Sequence, residues 1–60
     1  MKIVKHIINN VDVTNDVTCE DKNSPDLKVG TPVYVDGYGA AIIKERTESK
    51  KIVKYVLESI

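Results

Sequence analysis

The sequence predicts an all-β fold, a five-stranded antiparallel barrel or highly curved sheet, on three observations. Val, Ile and Thr supply twenty of the 60 residues while Ala and Leu supply two each, a composition that suits a pleated surface better than a helix. Apolar and polar residues alternate over much of the chain, which is the period of a half-buried strand. Turn formers interrupt it at short intervals, with Asn9-Asn10 and Asp36-Gly37 the strongest hairpin signals.

Residues 2–8 (KIVKHII) read as a first strand, ended by an Asn pair that tolerates positive φ. Between Val11 and Glu20, Val11, Val13, Val17 and Cys19 share one parity while Asp12, Thr14, Asp16, Thr18 and Glu20 share the other. That predicts a second strand with an acidic outer face. Residues 21–26 (DKNSPD) have no periodicity and read as the longest loop. Residues 27–39 (LKVGTPVYVDGYG) carry a third strand, with Val33 and Val35 on one side and Tyr34 on the other. Strands over 39–46 and 51–58, joined through 47–50, complete a set of five with no helix and no internal repeat.

In the final hairpin Val53, Tyr55 and Leu57 are the more apolar parity and are expected to face inward. Glu48-Ser49 lacks the positive-φ residues of a two-residue turn, so a three- or five-residue loop is expected. That register sets Ala41 opposite Leu57 and Ile43 opposite Tyr55 inside. Outside, it sets Ile42 opposite Val56, Lys44 opposite Lys54 and Arg46 opposite Ile52, an outer face both apolar and basic.

Residues 1–60 form a single domain, because a chain this short buries only about 60% of its unfolded surface and has one core. Nine basic and nine acidic side chains cancel, which removes the long-range field that draws a protein to nucleic acid or anionic lipid. Cys19 is the only cysteine, so no internal disulfide braces the fold and a reducing cytoplasm is the expected home. The opening MKIVKHIINNVDV is interrupted by Lys5 and His6 and does not read as a signal peptide. No run approaches the ~20 apolar residues of a membrane span.

Leu27, Val29, Gly30, Val33, Val35, Gly37, Gly39 and Ile42, followed by Tyr55-Val56-Leu57, resemble the opening of SH3-like small barrels, KOW and related modules included. The resemblance covers half the chain. Those families run two further strands after the one matching 51–58, so it implies a permuted or merely barrel-like variant in which strands from residues 2–20 close the sheet. It also implies binding to peptides, nucleic acids or other proteins, without choosing among them.

The residues that could carry chemistry are few. His6 is the sole histidine and sits among Val4, Ile7 and Ile8, so it reads as a structural or surface side chain without the partners a metal or catalytic role needs. Cys19 continues the valine face and reads as a small hydrophobe. Asp12, Asp16, Glu20, Asp21 and Asp26, opposed only by Lys22, give a net of minus four over residues 12–26. Their spacing misses the calcium-loop pattern, so they read as a solvated face that protects a sheet edge, or as a phosphate mimic toward a nucleic-acid-binding partner. Lys44, Arg46, Lys50, Lys51 and Lys54, with Tyr34 and Tyr38, are the opposite pole and would suit phosphate pairing and base stacking, although Glu45 and Glu48 interleave. Gly37-Tyr38-Gly39 lacks the Lys-Ser/Thr of a phosphate loop, and no nucleophile elbow or carboxylate dyad is recognisable.

The expectation is therefore a non-enzymatic interaction module with no cofactor and no metal, regulatory or inhibitory in role, that binds another protein. Its expected partner-binding residues are Tyr34, Tyr38, Ile42, Lys44, Arg46, Ile52, Lys54 and Val56. The alternative is a KOW-like nucleic-acid-binding module, and the same patch would also serve to close a homodimer.

Overall fold

The computed structural model describes residues 2–60. Its elements are β1 (Ile3–Ile8), β2 (Val11–Asp12), a 3-10 turn (Thr14–Asp16), β3 (Pro32–Val35), β4 (Gly39–Glu48) and β5 (Ile52–Ser59). They form one five-stranded sheet in the order β2-β1-β5-β4-β3. The all-β expectation stands, with one correction: the sheet is mixed, because β1 and β5 pair in parallel. In that ladder Ile3-Val4-Lys5-His6-Ile7-Ile8 lies in register with Ile52-Val53-Lys54-Tyr55-Val56-Leu57. Each residue meets one of its own kind, so the two hexads are a short internal repeat that alternation analysis passes over. Both have apolar side chains on both parities, although only one face of each is buried in the core.

The second expected strand is corrected too. Only Val11 and Asp12 pair with β1, across a turn in which Asn9 and Asn10 take the positive φ values of 51° and 65°. Asp12 Oδ1 then accepts from the Thr14 backbone N–H at 2.9 Å and from Thr14 Oγ1 at 2.6 Å. This local side-chain bonding competes with a ladder and turns the chain. The next residues reach the far edge of the sheet, where Val17 bridges Val35 and the Thr18 N–H donates to the Tyr34 carbonyl at 3.0 Å. Residues 11–18 thus touch both edges, while the ladder itself is not continuous and the sheet is not closed.

The core lies on one side of this sheet. Val4, Ile8, Val33, Val35, Ala41, Ile43, Val53, Tyr55 and Leu57 point into it, and Val13 and Val17 cover it with Cys19 and Leu27 packed alongside. Val11, expected inside, is 47% exposed, because its strand ends one residue later. The expected inward set of the final hairpin, Ala41, Ile43, Val53, Tyr55 and Leu57, is buried.

The register of that hairpin differs from expectation. Ile43 opposes Leu57, not Tyr55, and Ala41 opposes Ser59. A β-bulge then interrupts the ladder between Ile43 and Glu45, so that Glu45 opposes Val56, Arg46 opposes Tyr55 and Thr47 opposes Lys54. Lys44 is the extra residue and does not face Lys54. A bulge sets two residues against one and reverses the parity of everything beyond it. Arg46 is therefore on the core side, where an unbroken alternation would have placed it outside.

Candidate functional site

The inner side holds one polar row. His6, Tyr55 and Arg46 are successive lateral partners across β1, β5 and β4, and all three reach the loop that covers the core. His6 Nε2 lies 2.6 Å from the Lys22 carbonyl, an acceptor only, so Nε2 carries the proton. The Tyr55 hydroxyl donates to the Ser24 carbonyl at 2.6 Å and accepts from the Leu27 N–H at 3.0 Å. Arg46 Nη2 donates to the Pro25 carbonyl at 2.5 Å. The His6 and Tyr55 rings stack, with centroids 5.2 Å apart and planes at 28°. A loop without strand partners must place its carbonyls somewhere, and this row takes three of them.

The row is structural and offers little to a substrate. His6 and Tyr55 are fully buried, and His6 Nδ1 is enclosed without a hydrogen-bond partner among the described residues. The described surface has no pocket, and among the described residues no three His, Cys, Asp or Glu side chains gather as a metal ion would require.

Charge around the row is held at its rim. Glu48 accepts from Lys2 and pairs with Arg46 at 3.1 Å, and these contacts, Lys2 foremost, hold its carboxyl below the ordinary value. Asp12 is likewise held low, mainly by the Thr14 hydroxyl. It also lies 3.8 Å from Lys5.

Among the described residues, none covers the other side of the sheet. Ile3 and Ile52 are neighbours there, 55% and 39% exposed. Lys5 lies beside Lys54, and Ile7 beside Val56. Ile42 sits beside Glu58 and Pro32. The result is a mixed face across β1, β5 and β4, with the apolar pairs Ile3 with Ile52 and Ile7 with Val56 separated by Lys5 and Lys54, and Ile42 lying beyond Glu45 and beside Glu58.

Of the expected partner-binding residues, Ile42, Lys44, Ile52, Lys54 and Val56 lie on this open face. Tyr34 lies on the same side of β3 at 55% exposure, and Tyr38 is exposed at the β3–β4 turn. Arg46 does not belong to the set, because the bulge turns it to the loop. Ile3, Lys5 and Ile7 of β1, which the sequence alone places on no particular face, join it through the parallel pairing with β5. The match between KIVKH at 2–6 and KIVKY at 51–55 is the sequence signal for that neighbourhood.

Tyr38 precedes the first residue of β4, whereas Lys50 and Lys51 follow its last. A strand of that length spans about 30 Å, so Tyr38 and the turn lysines Lys50 and Lys51 do not form one patch. Comparison with family models, curated proteins and solved structures finds no match for this chain.

Proposed function

We propose that the domain is a non-enzymatic docking module that binds another protein surface through the open face of its sheet, and that it acts by occupying its partner. The observation that carries this reading is the placement of Ile7, Ile42 and Val56 with Lys54 on a sheet side that none of the described residues covers. A well-packed apolar centre with a few charges that set orientation is the usual anatomy of a protein interface. The SH3-like resemblance is in keeping with a binding role. A lone Cys19, half-buried, suits a reducing compartment such as the cytoplasm. The nucleic-acid reading has less behind it, since Arg46 is engaged with Pro25 and Glu48 and Tyr38 is remote from the turn lysines.

The test is capture from the native host with the folded domain as bait. Lys44→Glu with Lys54→Glu reverses charge on the open face, and Asp16→Lys with Glu20→Lys does the same on the opposite side. The first variant is expected to lose the wild-type partner and the second to keep it, since a reversed charge adds repulsion to lost attraction. Loss only in the second would move the working surface to the acidic segment. Oligonucleotide binding that falls steeply with salt would favour the nucleic-acid reading.

A further inference from the structure

We infer that the open face is self-complementary and pairs with a second copy of this chain, sheet against sheet; the inference rests on that face being the working surface. The outward residues of β5 run Ile52, Lys54, Val56, Glu58. Lys54 and Glu58 lie about 13 Å apart with Val56 midway. Both are exposed, and neither forms an ion pair among the described residues. A two-fold axis through Val56, lying between two facing sheets and perpendicular to β5, runs the two β5 strands antiparallel. It brings Lys54 of each copy onto Glu58 of the other, so both ion pairs form by symmetry.

The rest of the row agrees with that axis. Val56 and its neighbour Ile7 then face their own copies. The β4 bulge sets Lys44 and Glu45 together opposite Val56, so each can meet the opposite charge of the copy. The side-by-side lysines Lys5 and Lys54 oppose each other in isolation, and Glu58 of the copy relieves that opposition. The open face carries Lys5, Lys44 and Lys54 against Asp12, Glu45 and Glu58, a balance that matches a copy of itself better than a uniformly acidic partner. With no net charge on the chain, two copies do not repel at long range. A standard interface takes about 800 Å² from each partner, a fifth of the 4191 Å² exposed here, and the domain measures 30 × 21 Å across its broad side.

The test is a charge swap read by light scattering and sedimentation over a hundredfold concentration range, with circular dichroism to verify folding. The wild type is expected to pass from the 6.7 kDa chain mass to twice that value. Lys54→Glu alone and Glu58→Lys alone are each expected to weaken association at least tenfold. An equimolar mixture of these two variants restores it, because both cross pairs are again opposite in sign, and so does the double swap Lys54→Glu/Glu58→Lys. A wild type that stays monomeric at the highest concentration overturns the inference, as does association that the single swaps leave unchanged or that the mixture fails to restore. Monomeric behaviour joined to loss of a captured partner in Lys54→Glu overturns the self-pairing alone and leaves the docking surface standing.

Discussion

Arg46 and Tyr55 are direct cross-strand partners on the core side of the sheet, and this pairing exists because one bulged residue, Lys44, reverses the parity of β4. From there the Arg46 guanidinium and the Tyr55 hydroxyl take the carbonyls of Pro25 and Ser24, and His6 takes that of Lys22. The division of labour follows from that row. One side of a single sheet is committed to holding its own loop, and the proposed docking uses the other side.

Tyr55→Phe keeps the ring against His6 and removes only the hydroxyl. The Ser24 carbonyl then loses its donor and the Leu27 N–H its acceptor. Leaving such groups unpaired costs about 1–3 kcal/mol, and a domain of this size loses roughly 4–8 °C in melting temperature per kcal/mol. Thermal unfolding is expected to shift down by roughly 4–24 °C, with the strand spectrum unchanged. A variant as stable as wild type would mean that the loop finds equivalent partners in water.

His6→Phe keeps an aromatic ring in the core and removes the proton held by the Lys22 carbonyl. One lost hydrogen bond of about 1 kcal/mol raises the open population of the loop roughly fivefold. Trypsin cleavage after Lys22 is expected to accelerate accordingly, while cleavage at Lys50 and Lys51 in the β4–β5 turn provides the internal reference. Equal acceleration at both places would indicate global destabilisation rather than release of the loop.

Much of the fold is legible in the residues, and the exceptions share a cause. Alternation identifies the inward residues of β4 and β5, and Asn9-Asn10 marks a turn, because these are local patterns that one strand carries by itself. The bulge at Lys44 and the parallel pairing of β1 with β5 depend on what lies opposite, which no single strand states. The break after Asp12 has a local signal, an Asp two residues before a Thr whose N–H and hydroxyl it accepts, but the valine alternation outweighs it on reading. At the candidate site the same split holds. Ile42, Ile52, Lys54 and Val56 are legible from parity, whereas the contribution of Ile3, Lys5 and Ile7 needs the match between two hexads at opposite ends of the chain.

Acid sensitivity is expected at the rim. Glu48 is held below its ordinary value of 4.5 by Lys2 and then Arg46, and Asp12 below 3.8 chiefly by Thr14. A carboxylate whose folded value is depressed stabilises the native state above its unfolded value, and that stabilisation is lost as pH falls through the folded one. Stability is therefore expected to drop below about pH 4.5 and to keep dropping as the lowered values are passed. Glu48→Gln and Asp12→Asn should each flatten that decline when unfolding is followed in urea from pH 6 downward, an interval of roughly a few pH units. A slope that neither variant changes would assign the acid loss to other groups.

The most direct test of self-pairing through the open face is a map of amide shifts in ¹⁵N spectra recorded across a dilution series. Changes are expected to concentrate at the open-face positions Ile7, Ile42, Lys54, Val56 and Glu58, with residues 19–27 and the buried His6 and Tyr55 unmoved. Changes centred on the acidic segment at Asp16 and Glu20, or on the loop, would contradict the account.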